Sequence, residues 1–199
     1  MTAGRAAVFF DRDGTLNEEV SFLTSPDQLR LILGASKAVR TLNTRGIPVC
    51  VISNQSAVAR GLISEADLVP IHRKLAGELE RDGAHIDRIY YCPHHPTDGI
   101  PPYNKECDCR KPRPGMLHRA AAELALDLRE SSVIGDRIVD IQVAKAVGAK
   151  GILVLTGYGM TALEECREKG VTPDFIAPSV REAVEYVLET DKGDHHQDD

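Results

Sequence analysis

Short, almost entirely apolar segments alternate with longer amphipathic segments along this chain of 199 residues. A short apolar run is typical of a buried strand, and apolar residues repeating every 3.6 positions are typical of a surface helix. The pattern predicts strands over 6–10, 47–52, 86–91, 132–134, 151–155 and 174–177. It predicts helices over 34–45, 64–82, 114–126, 138–147, 161–169 and 179–190. This alternation indicates an α/β fold, in which helices cover both faces of a mostly parallel sheet.

The length, the net charge and the lack of a long apolar run indicate the number of domains and exclude some classes of partner. The length suits one domain, which we assign to 1–190, followed by a polar tail over 191–199 that we expect to be disordered. A net charge of −6 and the absence of Trp argue against a nucleic-acid partner. No apolar run is long enough to span a membrane, and the N-terminus lacks the pattern of a secretory signal. We therefore expect a cytoplasmic protein, and a monomer, with no membrane partner.

Polar residues follow three of the predicted strands, at the edge where ligands bind in parallel sheets. In chain order they are Asp11, Asp13, Ser53, Asn54, Gln55, Ser56, Asp136, Arg137 and Asp140. Carboxylates suit Mg²⁺, which completes its coordination with substrate phosphate, and a lysine such as Lys111 is a point charge for phosphate. Each residue alone is compatible with an ordinary turn or helix start. Together they predict a Mg²⁺-dependent site for a phosphorylated small molecule.

Three of the five cysteines lie within one loop that also contains two histidines. The candidate ligands in this loop are Cys92, His94, Cys107 and Cys109. Three thiolates and one imidazole form a closed tetrahedral set for a structural Zn²⁺, with His95 as an alternative ligand and uncoordinated thiols as the other interpretation. Zinc would fix the polar, proline-rich loop over 92–109, which leads directly to Lys111. We expect Cys50 to lie in the core and Cys166, on a helix, to be structural as well.

Four motifs, in this order, resemble those of the haloacid dehalogenase-like (HAD) phosphotransferase superfamily: FFDRDGT, VISNQS, RKP and VIGDRIVD. The resemblance implies a Rossmann-like fold and hydrolysis of a phosphomonoester through an aspartyl-phosphate on Asp11. It implies that Asp13 is the general acid and then the general base. It also implies that Asp11, the main-chain carbonyl of Asp13 and Asp136 hold Mg²⁺. Ser53 and Lys111 would stabilise the phosphoryl oxygens.

The zinc loop narrows this resemblance to one family. The segments YYCPHHP, CDCRKPRPGML and NQSAVARG are similar to those of the D-glycero-D-manno-heptose 1,7-bisphosphate phosphatases, which are HAD enzymes without a large cap. The resemblance covers roughly residues 7–188. It implies removal of the 7-phosphate of the heptose bisphosphate, zinc bound by the four ligands named above, and a substrate-recognition arginine at Arg110.

The loop that follows the first motif departs from this family, which has an acidic residue, a basic residue, Gly and Tyr there. Here the loop reads Glu19-Val20-Ser21-Phe22, so only the acid and the aromatic ring are kept. We predict that the substrate-binding residues, around the mouth of the site, are Glu19, Phe22, Asn54, Gln55, Ser56, Arg110 and Arg137, with Glu18 and Arg60 as further candidates.

Two alternative functions follow from the same residues. The segment VIGDRIVDIQVA also resembles the histidinol-phosphate phosphatases, so that activity, or that of another small sugar-phosphate phosphatase, is the alternative within the enzyme class. A non-catalytic, zinc-stabilised binding module is the alternative of a different class. Such a module predicts the loss of a catalytic residue, whereas Asp11, Asp13, Lys111 and Asp136 are all present.

Overall fold

The computed structural model describes residues 4–193, with side chains through residue 190. The six strands of the described residues are β1 Val8–Phe10, β2 Val49–Asn54, β3 Arg88–Cys92, β4 Ser132–Gly135, β5 Lys150–Val154 and β6 Phe175–Ala177. The helices of the same residues are α1 Ala35–Asn43, α2 Ser56–Ala59, α3 Glu65–Arg81, α4 Gly115–Leu124, α5 Ile138–Val147, α6 Gly159–Glu168 and α7 Val180–Gly193. A 3₁₀ turn, Pro26–Gln28, precedes α1.

The strands form one parallel sheet in the order β3-β2-β1-β4-β5-β6. The chain starts in the middle of the sheet with β1, where Phe9 pairs with Cys50 of β2 and Val133 of β4. It proceeds to the β3 edge and then returns to the other side of β1. The order therefore reverses at β1, which is the point where α/β sheets bind their ligands.

The core lies on both faces of the sheet, because successive residues of a strand point to opposite faces. Val8 and Phe10 belong to the apolar cluster that includes buried residues of α1, α3 and α7. Phe9 belongs to a second cluster, which includes buried residues of α4 and α5. The expected α/β fold is thus confirmed. Cys50 is buried in the core as expected, and Cys166 is buried as well.

Helix α3 shows how local sequence sets an element that borders the site. Ser64 Oγ accepts a hydrogen bond from the main-chain N of Asp67, and the main-chain N of Ser64 donates to Asp67 Oδ2 at 2.8 Å. This reciprocal capping satisfies two amide groups that a helix start would otherwise leave without partners. The helix therefore begins where Ser64 predicts it.

The structure differs from the predicted elements in a few places. Helix α2, only four residues long, and the 3₁₀ turn were not predicted, because neither is long enough to show a period. Helix α7 continues to Gly193, into the segment expected to be a polar tail, and residues 194–199 lie outside the described residues. Residues 4–193 contain no helix with the length and apolar character that crossing a membrane requires, and no insertion large enough to form a cap domain.

Candidate functional site

Asp11 is the first residue after β1, at the carboxyl edge of the central strand. Its main-chain N donates to the carbonyl of Ile134 in β4 at 2.9 Å, so the neighbouring strand fixes its position. Its Oδ1 accepts a hydrogen bond from Lys111 Nζ at 2.8 Å. The side chain is buried at the base of a cavity and still lines it. This places a single carboxylate where a bound molecule can reach it.

Lys111 lies between two buried carboxylates. Its Nζ donates to Asp11 Oδ1 and to the carbonyl of Ile52, and it lies 2.6 Å from Asp140 Oδ1. Burial alone would lower the pKa of this ammonium, but the charges of Asp11 and Asp140 outweigh it and raise the pKa above its ordinary value. Asn54 fixes the backbone of Lys111 through two amide hydrogen bonds of 3.0 and 3.1 Å. The lysine is therefore a fixed positive charge in the site.

Three carboxylates, those of Asp11, Asp136 and Asp140, have oxygen atoms within 4.8 Å of one another. Burial, then the charges of Asp11 and Asp140, raise the pKa of Asp136 to about 8. Burial is also the main reason that the pKa of Asp11 is raised to about 6, against the lowering effect of Lys111. Within residues 4–193, Asp136 Oδ1 is buried without a hydrogen-bond partner. An oxygen-rich, negatively charged group with an unsatisfied buried oxygen fits a hard divalent cation such as Mg²⁺.

Two glycines allow this group to pack closely. Gly14 and Gly157 have φ angles of +78° and +53°, and a Cβ at either position would overlap the Asp136 carboxylate. The main-chain N of Tyr158 donates to Asp136 Oδ2 at 2.8 Å. Only glycine combines this backbone conformation with this close approach. Asp136 is therefore oriented by backbone on two sides.

The Asp13 carboxylate is held apart from this cluster. Its Oδ1 accepts from Asn17 Nδ2 at 2.9 Å, and Arg12 donates to both of its oxygens. Burial raises the pKa of Asp13, but the charge and hydrogen bonds of Arg12, with hydrogen bonds from Asn17 and Gln55, hold that pKa below its ordinary value. The side chain of Asp13 remains 22% exposed and lines the cavity.

Arg12 was not among the predicted functional residues, although it lies between Asp11 and Asp13. Only 1% of its side chain is exposed, and its NH1 lies 3.4 Å from His72 Nε2 of α3. Burial and the charge of Arg12 lower the pKa of His72 to about 4. The adjacent acids were predicted to be site residues. Arg12 was not, because an arginine in a polar turn is usually solvated. Nothing in the local pattern signalled its burial.

The predicted site residues come together around one cavity of about 760 Å³. Those that line it are Asp11, Asp13, Glu19, Phe22, Ser53, Asn54, Gln55, Ser56, Arg110, Lys111 and Arg137. Asp136 lies beneath them and is fully buried. Ser53 Oγ accepts from Gln55 Nε2 at 2.7 Å, so the hydroxyl at the end of β2 is oriented. The carboxyl ends of β1, β2 and β4 supply most of this set, as the fold requires.

Two arginines lie on the walls of the cavity. Arg110 donates to the carbonyl of His94 at 2.9 Å and to Ser56 Oγ at 3.2 Å. The guanidinium of Arg137 lies 4.0 Å from the centre of the Tyr158 ring, and its NH2 is 3.5 Å from Glu19 Oε2. Each arginine keeps donors that its own partners do not use. The walls can therefore bind an anionic group.

The outer rim is formed by three separate segments. Arg60 lies 5.4 Å from the centre of the Phe22 ring and pairs with Asp98 of the loop 92–109 at 2.6 Å. Arg60 lines the cavity as expected, but Glu18 is exposed and does not line it, so that candidate was wrong.

One wall of the cavity was missed by the sequence analysis. It is formed by residues at and after the end of β5, namely Tyr158, Thr161, Ala162, Glu165 and Lys169. The rule that ligands bind beyond strand ends applies to β5 as it does to β1. The segment after β5 lacks acids or adjacent cations at the strand end, so its sequence did not indicate that it borders a functional site.

The four candidate zinc ligands form a compact cluster. The Sγ atoms of Cys92, Cys107 and Cys109 lie 3.0–3.4 Å apart, and His94 Nδ1 is 3.4 Å from Cys109 Sγ. All three thiols are free, and these separations far exceed a disulfide bond of about 2.05 Å. A tetrahedral set of three sulfurs and one imidazole fits Zn²⁺ with no open position.

The neighbouring His95 lies outside this cluster. Its Nδ1 accepts from the main-chain N of Asp98 at 3.0 Å, and the ring lines the cavity. The loop is also fixed away from the cysteines, because Tyr103 and Tyr91 both donate to the carboxylate of Glu65 at the start of α3. The geometry thus favours His94 over His95 as the fourth ligand.

Comparison with known proteins places these features in context. A profile of the HAD-hydrolase-like family matches residues 108–183. D-glycero-beta-D-manno-heptose-1,7-bisphosphate 7-phosphatase of Haemophilus ducreyi is 37% identical over 186 residues, covering 92% of this chain and 99% of the relative. D-glycero-D-manno-heptose-1,7-bisphosphate 7-phosphatase of Thermosynechococcus vestitus is 41% identical over 187 residues, covering 92% of this chain and 95% of the relative.

Solved structures agree with these relatives. The D,D-heptose 1,7-bisphosphate phosphatase of B. bronchiseptica, complexed with magnesium and phosphate, superimposes with a TM-score of 0.81 at 33% identity, covering 93% of this chain and 99% of that one. The D,D-heptose 1,7-bisphosphate phosphatase of Burkholderia thailandensis superimposes with a TM-score of 0.67 at 27% identity, covering 94% of this chain and 98% of that one.

Proposed function

The chain belongs to the D-glycero-D-manno-heptose-1,7-bisphosphate 7-phosphatase family of HAD-like hydrolases, and we propose that it hydrolyses the 7-phosphate of that heptose bisphosphate. One observation carries the proposal. The Asp11 carboxylate lies 2.8 Å from Lys111 Nζ, close to Asp136, at the base of a cavity whose walls carry two further arginines. That is an arrangement for attack on one phosphate of a molecule that carries two.

Asp11 is the nucleophile in this proposal. Its carboxylate oxygen forms a bond to phosphorus while the bond from phosphorus to the sugar oxygen breaks, and an aspartyl-phosphate results. Arg12, Asn17 and Gln55 keep Asp13 ionised in the free site, so Asp13 takes the proton of the bound phosphate monoanion and passes it to the departing sugar oxygen. Asp13 then takes a proton from a water molecule that attacks the phosphorus, which releases inorganic phosphate and restores Asp11.

Ser53 and Lys111 hold the phosphoryl oxygens while charge shifts in the transition state. The Ser53 hydroxyl is oriented by Gln55, and the Lys111 ammonium is held by two carboxylates and a carbonyl. Donors that are already oriented need no reorganisation during the reaction. The pKa of Asp11, raised to about 6 mainly by burial, still leaves it ionised for attack at neutral pH.

Asp11, Asp136 and the main-chain carbonyl of Asp13 would hold Mg²⁺. When bound, Mg²⁺ supplies positive charge that offsets the repulsion between the anionic nucleophile and the anionic phosphate. Cys92, His94, Cys107 and Cys109 would hold a structural Zn²⁺. These ligands fix the loop 92–109 immediately before Arg110 and Lys111, so their role is to orient two cations of the site.

The cavity walls favour a bisphosphate over histidinol phosphate. An imidazolium substrate needs an acidic group free to receive it. On the walls, the Glu19 carboxylate accepts from the main-chain N of Ser21 and lies 3.5 Å from Arg137, and the Glu165 carboxylate lies 3.8 Å from Lys169 Nζ. Arg110 and Arg137 instead offer donors to a second phosphate. Since residues 4–193 contain no cap domain and bring the site residues together around one cavity, no partner is needed to close the site, and we also propose that the protein acts as a monomer.

Phosphate release from heptose 1,7-bisphosphate and from histidinol phosphate, measured in parallel with Mg²⁺, tests the proposal. We expect kcat/KM to favour the heptose bisphosphate by about 100-fold, which is about 2.7 kcal/mol of transition-state discrimination. Asp11→Asn is the negative control and should release no phosphate while it remains folded by circular dichroism. A preference for histidinol phosphate would overturn the substrate assignment alone, and turnover by Asp11→Asn would overturn the nucleophile.

A further inference from the structure

We propose that Arg12 is a positioning residue for the reaction, which orients the Asp13 carboxylate for proton transfer and is itself fixed by His72. The inference rests on the proposed hydrolase function. It assigns a role to two residues that neither bind the phosphate nor hold a metal in the mechanism above.

The first observation is a two-point contact inside the protein. Arg12 Nε donates to Asp13 Oδ1 at 3.1 Å, and Arg12 NH2 donates to Asp13 Oδ2 at 2.7 Å. Two parallel hydrogen bonds from a planar guanidinium fix both the position and the plane of a carboxylate. With 1% of its side chain exposed, Arg12 has no water-facing alternative conformation without losing this pairing.

The second observation is the position of His72. Arg12 NH1 lies 3.4 Å from His72 Nε2, and a guanidinium can only donate, so this ring nitrogen accepts and the ring proton lies on Nδ1. His72 packs beside Tyr91 of β3, with ring centres 5.7 Å apart. The histidine therefore fixes the far end of the guanidinium, on the side away from Asp13. Helix α3 and β3 thereby support the orientation of Arg12.

The third observation is that Asp13 faces the cavity although further donors hold its carboxylate. Asn17 Nδ2 donates to Asp13 Oδ1 at 2.9 Å and also to the carbonyl of Glu18, so a second fixed donor supports the same carboxylate. Asp13 nevertheless lines the cavity. The Asp13 carboxylate is therefore oriented by Arg12 and Asn17, together with the hydrogen bond from Gln55, and it still faces the cavity in which the proposed reaction takes place.

A role in orienting the acid predicts a dependence on the leaving group. Departure of a basic alkoxide needs a proton from Asp13, and general acid catalysis contributes about 100-fold or more to such a step. Departure of p-nitrophenolate needs almost none, because this ion is a weak base. Residues that only stabilise the fold would affect both substrates equally, so the ratio between substrates isolates the positioning role.

The test is Arg12→Lys, which keeps the charge but loses the planar two-point contact. For heptose 1,7-bisphosphate we expect kcat/KM to fall about 100-fold, and for p-nitrophenyl phosphate by no more than about 3-fold. Phenyl phosphate, with a more basic leaving group, should fall between them. An equal loss for all three phosphate esters, or no loss, would overturn the proposal.

His72 provides a second test that does not disturb the turn after β1. His72→Leu removes the acceptor and should show the same dependence on the leaving group with a loss of about tenfold for the sugar phosphate. His72→Gln returns an acceptor and should recover most of the activity toward the sugar phosphate that His72→Leu loses. His118→Leu, at an exposed histidine of α4, is the matched control and should match the wild type. Failure of His72→Gln to recover activity above His72→Leu would count against the role of His72.

The proposed function and this inference can fail separately. If the wild-type protein hydrolyses the aryl phosphates but not the heptose bisphosphate, the substrate assignment fails. The ratio of phenyl to p-nitrophenyl phosphate in the Arg12 and His72 variants still decides the positioning role, because neither ester depends on recognition of the sugar. If the heptose bisphosphate is hydrolysed and the ratios do not change, only the inference fails.

Discussion

Lys111 Nζ lies 2.6 Å from Asp140 Oδ1, and the exposed fractions of the two side chains are 2% and 0%. Asp140 also accepts a hydrogen bond through Oδ2 from the main-chain N of Arg137 at 3.0 Å, at the start of α5. Its sequence position is typical of a helix-start residue that stabilises the dipole. The structure shows both roles, so one carboxylate links the start of α5 to the lysine of the phosphate site.

Asp140→Asn tests this link. The amide keeps the shape and an acceptor for Arg137, but it removes a buried charge from beside Lys111. We expect the free energy of unfolding to fall by about 2 kcal/mol and kcat to fall roughly 30-fold, because Lys111 loses a charged partner. Chemical denaturation and steady-state kinetics measure both. Glu164→Gln, at an exposed acid of α6, is the control, and a wild-type kcat in Asp140→Asn would contradict the role.

The buried carboxylates predict how stability depends on pH. The pKa of Asp136 is about 8 and that of Asp11 about 6 in the folded, metal-free protein, because both are buried and Asp136 lies beside further acids. In the unfolded chain both pKa values return to the ordinary range near 4, so between about pH 4 and pH 8 the folded state binds more protons. The metal-free protein should therefore lose stability as pH rises through this window.

Added Mg²⁺ should reverse this loss. At about pH 8 the carboxylates are ionised and attract the cation, whereas at about pH 5.5 a proton competes with it. We expect saturating Mg²⁺ to raise Tm at the higher pH by at least about 3 °C more than at the lower pH. Scanning calorimetry at both values measures this. Asp136→Asn should abolish the difference, and an equal rise at both pH values would contradict the assignment.

Loss of one zinc ligand should act on the phosphate site at a distance. Cys107→Ser is expected to lose bound zinc, to lower Tm and to lower kcat/KM by about tenfold, because the loop before Lys111 is no longer fixed. Metal content by atomic emission, calorimetry and kinetics measure these effects. Cys166→Ser, at a buried cysteine outside the cluster, should keep its zinc. Full zinc content with normal kinetics in Cys107→Ser would exclude the structural role.

Arg110 should distinguish two phosphates from one. Arg110→Gln removes a donor to the second phosphate, a charged hydrogen bond worth about 1.5–3 kcal/mol, so KM for the bisphosphate should rise about 10- to 100-fold. KM for heptose 7-phosphate, which lacks that phosphate, should change little. Arg113→Gln, at an exposed arginine that pairs with Glu106, is the matched control. Equal increases for both substrates would place Arg110 at the reacting phosphate instead.

The sequence predicted the parts of the site that strand ends determine. Asp11, Ser53 and Asp136 follow strands β1, β2 and β4, which lie side by side, so a strand assignment was enough to bring them together. The order of the strands in the sheet was not predicted, because apolar periodicity does not say which strands are neighbours. The four zinc-loop residues were found because cysteine and histidine at close spacing are rare without a metal.

Other features depend on packing that no local pattern records. Arg12 and His72 are far apart in the chain, and their contact exists only after α3 packs beside β1 and β3. The wall formed by Tyr158 and its neighbours became evident only from the position of α6. Glu18 and Glu19 were both candidates for the mouth of the site, but of the two only Glu19 pairs with Arg137.

The central position of β1 has a consequence for the protein during its synthesis. A ribosome adds Asp11 before the loop 92–109, whereas it adds Asp136 and Asp140 after that loop. Domains form as the chain emerges, N-terminal part first. A nascent chain that ends before β4 already contains the nucleophile, Lys111 and the zinc ligands, yet it lacks both carboxylates that complete the charged group. Hydrolytic activity can therefore begin only when β4 inserts beside β1. Chains that terminate before β4 do not hydrolyse the phosphate esters of the cell.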